Sequence, residues 1–252
     1  MKEIAFKPIR TESLKEVFVS RFEELILSGR LSIGQKLPSE RTLALQLGVS
    51  RPVVHEGLVD LAVKGLVTMK PRIGTIVNDY RKDGSLAILT SLVNYYKGSL
   101  DPALLDSMLE MRMLIEMATA RLAATNRTTE HIVAFKDILK QEELIDPHDV
   151  EHIKEIDFEF HHLIALASKN LVYPLLIRSF KPVYTNLSGQ FFMNPSVVPV
   201  VFRFHKTFVC AIEDKDVERS VETMESILEH GKKYLKEAIK ETDNDEKKRK
   251  II

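Results

Sequence analysis

An aspartate and a histidine one helical turn apart are the first residues of this sequence that could do chemistry together. Asp157 and His161 fall on the same face of a predicted helix, so a carboxylate and an imidazole could share one metal ion. His205 follows apolar residues in a later helical segment and is expected to face the same interior. Such ligands suit a divalent transition ion, Zn²⁺, Ni²⁺ or Mn²⁺. Spacing alone favours the simpler alternative, a hydrogen-bonded helix pair beside an ordinary core histidine.

A second set of residues, near the amino terminus, has the types and positions of a nucleic-acid contact surface. Ser50 and Arg51 begin a predicted helix that follows another helix after only residues 48–49. Helices joined so tightly turn sharply, as in a helix-turn-helix, whose second helix presents its first side chains to base edges. Arg41 and Arg72 would flank that helix, with Arg72 aimed at a minor groove or a phosphate. Charge alone equally allows that these arginines only solvate a small helical domain.

The elements that must position these residues divide the chain in two. Residues 12–28 have helical spacing, and the helix-turn-helix is followed by two short β-rich runs around a Pro/Gly turn. These elements predict a winged helix over residues 1–78. Residues 85–241 show helical periodicity only, which predicts an all-helical bundle of about six or seven helices. The fold class is mainly α, with a linker at residues 79–84 and a frayed polar tail at residues 242–252.

Composition agrees with two domains of different chemistry. The 252 residues carry 36 basic and 36 acidic side chains, which removes the simple charge argument for a nucleic-acid binder. However, residues 1–80 hold 12 Lys and Arg against 9 Asp and Glu, so the amino-terminal part is slightly basic. The single Cys210 and the absence of a signal peptide or membrane-length apolar run predict a cytoplasmic protein without membrane association.

Three amino-terminal motifs carry a resemblance to a known family. They are LPSERTLA at residues 37–44, GVSRPVV at residues 48–54 and GTIV at residues 74–77. The chain resembles the DNA-binding domain of GntR-family bacterial repressors over about residues 10–78. The resemblance implies a winged helix that binds a palindromic double-stranded operator as a homodimer, with Arg41, Ser50, Arg51 and Arg72 at DNA-contacting positions.

The sequence departs from the family pattern in the predicted recognition helix. His55 stands where the family usually has an arginine. His55 is expected to contact DNA, but an imidazole is mostly neutral at pH 7, which leaves the base preference at this position open. Gly57 replaces the family's alanine and is expected to weaken the helix by up to ~1 kcal/mol.

The carboxy-terminal part carries its own resemblance. Its motifs are EMRMLIE at residues 110–116, DFEFH at residues 157–161 and ASKN at residues 167–170. Residues 101–240 are similar to the helical effector domain, called FCD, of the FadR branch of that family. Metal-binding members use one aspartate and three histidines, and Asp157, His161 and His205 match the first three.

The fourth metal ligand does not match that pattern. Ile227 occupies its position, and His230 lies one turn further along the same helix. Three alternatives stay open. His230 reaches the site, or water or the effector completes three ligands, or the site has lost its metal.

The resemblance implies two classes of effector. Arg112 would be the anion partner of a small carboxylate held at a metal site. In the fatty-acid-responsive members a long acyl-CoA occupies the bundle without metal, and the segment that begins at Asn170 is similar to theirs. Arg112 and Asn170 are therefore the predicted effector-binding residues.

We predict a transcriptional repressor rather than an enzyme. It would bind DNA sequence-specifically and sense a small carboxylate, with an acyl-CoA-responsive regulator of fatty-acid metabolism as the alternative. A metal-dependent hydrolase is the alternative from another class. It would need an activated water and a separate general base, and the sequence shows no such constellation.

Overall fold

The computed structural model describes residues 12–96 and 101–249, with side chains as far as residue 237. These residues belong to two compact units, Met1–Tyr95 and Tyr96–Ile252, called here the first and second unit. The first eleven residues of the predicted winged helix, residues 97–100 of the predicted bundle and residues 250–252 of the predicted tail lie outside the described residues.

The first unit is a winged helix. Its elements in chain order are α1 (Leu14–Leu27), α2 (Glu40–Leu47), α3 (Arg51–Val63), β1 (Val67–Lys70), β2 (Gly74–Val77), α4 (Tyr80–Asp83) and α5 (Ile88–Tyr95). The strands pair antiparallel from Val67↔Val77 to Lys70↔Gly74 and form the wing. Phe18 and Phe22 of α1 are buried in its core, together with Leu58 of α3. The predicted winged helix is confirmed.

The sharp turn between α2 and α3 follows from the residues at their ends. Ser39 caps α2 by accepting a hydrogen bond from the backbone N–H of Thr42. Gly48 ends α2 at φ 67°, a left-handed conformation that glycine adopts without strain. α3 then begins at once, which brings its first turn beside α2.

Gly57 has a packing role that the sequence did not reveal. It is buried where α1 crosses α3, and a Cβ built on it would lie 2.3 Å from a ring carbon of Phe18. The absence of a side chain lets α1 approach closely. The expectation that glycine simply weakens α3 therefore omits the contact that it makes possible.

Residues 79–95, which comprise the predicted linker and the start of the predicted bundle, belong to the first unit. Residues 80–83 form α4, and a Cβ on Gly65 would lie 2.1 Å from the carbonyl oxygen of Asp83. Ser91 of α5 is buried and donates a hydrogen bond of 2.8 Å to Glu23 of α1, which also pairs with Lys64. Because of these contacts, the structure divides the chain after Tyr95 rather than at residue 85.

The second unit is a helical bundle. Its elements are α6 (Pro102–Asn126), α7 (Thr129–Leu144), α8 (Val150–Ala167), α9 (Tyr173–Ser179), α10 (Lys181–Phe192), a short 3₁₀ turn (Pro195–Val197), α11 (Val198–Glu213) and α12 (Val217–Arg249). Strands are absent from the described part of this unit, as predicted. α9 and α10 are separated at Phe180, because Pro182 has no N–H with which to continue the hydrogen-bond ladder of α9.

Aromatic rings fill the core of the bundle. Phe135 of α7, Phe160 of α8 and Phe208 of α11 are fully buried, with ring centroids 5.5–6.5 Å apart. Residues 195–213 are long and apolar enough to resemble a membrane span by composition alone. The buried side chains of α11 instead form part of this core.

The last helix is longer than predicted. α12 continues to Arg249, through most of the segment that we expected to be frayed. Glu, Lys and Arg are strong helix formers, and this composition is consistent with the continued helix.

Candidate functional site

Basic side chains from four elements meet at one groove of the first unit. We call it the basic groove, and its cationic residues are Lys36, Arg41, Arg51, Lys70 and Arg72. Arg72 is at the tip of the wing, with φ 64°. Lys70 is the last residue of β1, Lys36 precedes α2, Arg41 belongs to α2 and Arg51 begins α3. The structure therefore brings together the three arginines that the sequence singled out. Lys36 and Lys70 are additions that sequence motifs did not distinguish.

The start of α3 differs from the start of α2 although both have serine as N-cap. The Ser39 hydroxyl accepts from Thr42 N–H, whereas among the described hydrogen bonds the Ser50 hydroxyl makes no cap to α3. The first amides of a helix carry partial positive charge and point outward, so they favour anions such as phosphate. The hydroxyl of Ser50 and the first turn of α3 are thus available to a ligand.

His55 contacts an acidic residue of α2. Its Nδ1 atom lies 2.8 Å from Glu40 Oε1, and the two side chains are 56% and 29% exposed. Glu40 itself lines the basic groove. His55 follows Arg51 by one turn, so the two residues occupy the same exposed face of α3.

Three metal-ligand side chains converge inside the second unit. Asp157 and His161 project from α8 and His205 from α11, and each is buried. One ligand atom from each lies within 4.8 Å of the others. His205 Nε2 is 3.6 Å from Asp157 Oδ1 and makes no hydrogen bond within the described part of the chain. The structure therefore brings together the three side chains that the sequence singled out as candidate metal ligands.

A buried glutamate fixes the orientation of His205. Glu142 of α7 lies with its Oε1 atom 2.6 Å from His205 Nδ1, and the ring stacks on Phe160 with centroids 3.8 Å apart. Because an ionised carboxylate only accepts hydrogen bonds, Nδ1 carries the proton and Nε2 keeps its lone pair. Carboxylates hold metal-binding histidines in this way. Sequence spacing gave no signal for Glu142, which is 63 residues from His205.

Arg112 is held beside the same residues by a network of buried partners. It pairs with Glu116 one turn along α6, donates to Tyr184 Oη at 2.9 Å, and lies 3.4 Å from His161 Nε2. Tyr184 in turn donates to Asp157 Oδ2 at 2.6 Å. Together with Asp157, His161, His205 and Glu142, these residues form what we call the buried cluster.

Burial and charge act in opposite directions on the pKa of Glu116. Burial raises the pKa of its carboxyl, but Arg112 and His161 outweigh it and hold the pKa at about 2. Burial likewise raises the pKa of Tyr184 well above its ordinary value, with Asp157 acting in the same direction. Glu116 is therefore an anion and Tyr184 a neutral hydrogen-bond donor near pH 7.

A cavity of about 90 Å³ adjoins the buried cluster. Arg112, Glu116, Asp157 and His161 form its polar end, and most of the remaining wall is apolar. The Ser188 hydroxyl belongs to this wall and has no hydrogen-bond partner among the described residues. One ordered water needs roughly 10–15 Å³, so the cavity has room for a small molecule.

His230 and Asn170 were both predicted site residues, and neither lines this cavity. The ring of His230 lies among Phe191, Phe204 and Tyr234, away from the three converging ligands. Ile227 lines the cavity at the position of the expected fourth ligand. Asn170 uses its side-chain oxygen to accept from the backbone N–H groups of residues 172 and 173, which makes it a cap for the turn into α9.

The first unit has the architecture of a DNA-binding protein, since α3, the second helix of its helix-turn-helix, and its wing border one basic groove. Comparison with known proteins agrees. Residues 14–77 match the family model described as bacterial regulatory proteins, gntR family, and residues 107–230 match the FCD domain model. The chain belongs to the GntR family, and it is a DNA-binding transcriptional regulator with an FCD domain.

Relatives match across both units. The HTH-type transcriptional regulator Mce2R of Mycobacterium tuberculosis (strain CDC 1551 / Oshkosh) is 32% identical over 181 residues, which is 72% of this chain and 74% of the relative. The fatty acid metabolism regulator protein of Proteus mirabilis (strain HI4320) is 28% identical over 209 residues, or 83% and 84% of the two chains.

Solved structures of similar fold also cover nearly the whole chain. Lar, which controls expression of the Listeria monocytogenes agr system, matches with a TM-score of 0.59 at 16% identity, covering 91% of this chain and 99% of that chain. E. coli McbR/YncC matches with a TM-score of 0.51 at 18% identity, covering 90% and 99%. At these identities the likeness concerns the fold alone.

Proposed function

We propose that this regulator is a cytoplasmic homodimeric repressor of the FadR branch whose helical domain senses a small carboxylate at a metal site. The observation that carries the sensor assignment is the convergence of Asp157, His161 and His205 around an unbonded His205 Nε2 beside a mostly apolar cavity. Glu142 prepares that nitrogen as a ligand. The donors suit Zn²⁺, Ni²⁺ or Mn²⁺.

The bound ion would supply a fixed positive charge for an anionic effector. The chain's own residues supply orientation. Ligation through His161 Nε2 requires Arg112 to leave that nitrogen, while Glu116 continues to hold the guanidinium beside the cavity. Arg112 is then the partner of the effector carboxylate, and the Ser188 hydroxyl offers a second polar contact. Water or the effector itself would complete the coordination, because Ile227 replaces the fourth ligand.

Elemental analysis of freshly purified protein tests the metal site. Stoichiometric metal is expected in the wild type, and strongly reduced metal in His161→Ala and His205→Ala. His162→Ala is the matched control, since His162 is the next residue on α8 but stacks on Phe158 outside the cluster. Metal-free wild-type protein with a co-purified acyl species would support the acyl-CoA alternative. A cavity of about 90 Å³ favours the small carboxylate over a long acyl chain.

The operator side of the proposal rests on the basic groove. Two winged helices of a dimer would meet a palindromic operator, and effector binding would shift the population of dimer states that fit both half-sites. Arg41→Ala and Arg51→Ala are expected to weaken operator binding with the fold intact. Arg21→Ala is the control, because it removes the same charge from an exposed position of α1 outside the groove. Unchanged operator affinity in both groove variants contradicts the assignment.

The proposal assigns binding, without turnover, to the buried cluster. A metal-dependent hydrolase would instead show turnover that disappears in Asp157→Ala.

Sedimentation of the full chain tests the dimer. A steep loss of DNA affinity with rising salt is expected, because phosphate contacts release counterions.

A further inference from the structure

The exposed histidine of α3 has its tautomer set by the carboxylate of a neighbouring helix. His55 Nδ1 lies 2.8 Å from Glu40 Oε1. An ionised glutamate can only accept a hydrogen bond, so in the neutral imidazole the proton must be on Nδ1. The other ring nitrogen, Nε2, then carries a lone pair and acts as an acceptor.

The position of His55 makes this acceptor relevant to sequence recognition. It lies one turn after Arg51 on the same exposed face of α3, and its side chain is 56% exposed. Glu40 is the first residue of α2 and lines the basic groove. Its carboxylate therefore approaches His55 from α2. In a helix-turn-helix, the residues on this face of the second helix meet base edges in the major groove.

We propose that His55 specifies a base by accepting a hydrogen bond at Nε2 from the exocyclic amine of adenine or cytosine. Glu40 is the positioning residue, because it holds the ring in the accepting tautomer. Within the major groove, guanine and thymine present acceptors, N7 and O6 or O4, so an accepting nitrogen disfavours them. The proposal rests on the DNA-binding function proposed above.

The proposal reverses what an arginine would do at this position. A guanidinium has only donors and pairs with guanine O6 and N7. The histidine and glutamate pair changes the hydrogen-bonding polarity of the contact and selects the opposite group of bases. A change in operator sequence, with affinity retained, is the expected consequence.

Selection of bound sequences from a randomised duplex library tests the proposal with the full-length protein. The selection is run at pH 8, where an imidazole is neutral. At one position in each half-site the wild type is expected to enrich a single base pair by roughly tenfold, and replacing the exocyclic amine of its adenine or cytosine with hydrogen is expected to lower the affinity by a similar factor. The recovered base distinguishes adenine from cytosine. His55→Arg is expected to convert the same position to guanine.

Glu40→Gln tests the positioning role. Its amide can donate or accept, so the tautomer is no longer fixed and the preference at this position is expected to fall to about twofold or less. Glu56→Gln is the matched control, because it removes the same charge from an exposed neighbour on α3 and is expected to keep the preference. A preference unchanged in Glu40→Gln overturns the role of Glu40.

Nitrogen NMR of the DNA-free protein at pH 8 reports the tautomer directly. We expect a protonated Nδ1 and an unprotonated Nε2 in His55 of the wild type, and a mixture in Glu40→Gln. A wild-type proton on Nε2, or undiminished affinity for the duplex that lacks this amine, overturns this inference while DNA binding stands. Failure of the wild type to enrich any sequence would instead overturn the proposed function.

Discussion

Two imidazole–carboxylate pairs, one in each unit, share their chemistry and differ in burial. His55 Nδ1 is 2.8 Å from Glu40 and His205 Nδ1 is 2.6 Å from Glu142. In both pairs the carboxylate fixes the proton on Nδ1 and leaves Nε2 as an acceptor. The His55 side chain is 56% exposed, whereas that of His205 is 0% exposed. Breaking the contact is therefore expected to cost more stability in the core than at the surface.

Removing the two carboxylates is expected to give the largest difference between the units. Glu142→Ala leaves the buried N–H of His205 without its acceptor and should lower the free energy of unfolding of the second unit by about 2–3 kcal/mol. Glu40→Ala breaks an exposed pair and should cost less than about 1 kcal/mol. Urea unfolding followed by circular dichroism measures both. Equal losses would contradict the distinction by burial.

Glycines give a second contrast between the units. Gly57→Ala forces a methyl group against Phe18 and should destabilise the first unit by about 1–3 kcal/mol, although alanine favours helices. Gly231→Ala in α12 is the matched control. No described atom lies within 4 Å of its Cβ position, so it should stabilise the second unit by about 0.5–1 kcal/mol. Stabilisation by both substitutions would refute the packing role of Gly57.

The two N-cap serines sharpen the comparison within the first unit. Ser39→Ala removes a cap from α2 and should cost about 1 kcal/mol of stability. Ser50→Ala removes a hydroxyl that makes no cap to α3 among the described hydrogen bonds, so stability should change by less than about 0.5 kcal/mol while operator affinity falls. Thermal unfolding and DNA titration of both variants separate the two roles. A similar stability loss in both would show that Ser50 also serves as a cap.

The smallest expected effect is the pH dependence contributed by His230. Burial lowers the pKa of its imidazole, and Lys233 lowers it further. The folded state therefore takes up this proton less readily than the unfolded state, so stability is lost as pH falls below the ordinary value of about 6.5. His230→Phe should make the loss of stability between about pH 7.5 and pH 5.5 shallower. An unchanged slope would mean that the imidazole is protonated equally well in both states.

Local patterns predicted the parts of the molecule that depend on residues near one another in sequence. The cap and left-handed glycine around α2 indicated the helix-turn-helix, and the helical spacing of Asp157 and His161 indicated a shared face. Contacts between distant segments were beyond such patterns. Glu142 reaches His205 only through the packing of α7 against α11, and Gly57 acquires its role only where α1 crosses α3.

Two predicted features have surroundings that local patterns did not indicate. His230 was a candidate ligand because it lies one turn beyond Ile227, but one turn along a helix shifts a residue by about 5.4 Å, and its ring joins an aromatic cluster instead. The polar segment at residues 79–84 was predicted to be a linker. The left-handed Gly65 allows the backbone of residues 83–84 to approach, and the segment packs against the first unit.

The hydrogen bond between Ser91 and Glu23 determines where the chain can be divided to make chimeric regulators. A chimera joined at residue 85 would delete α5 and leave the buried Glu23 carboxylate with Lys64 as its only remaining partner among those described. Fusion after Tyr95 retains both contacts. Interchangeable modules of this architecture should therefore be cut behind the short helix that follows the wing, so that each regulator carries its own α5 into the hybrid.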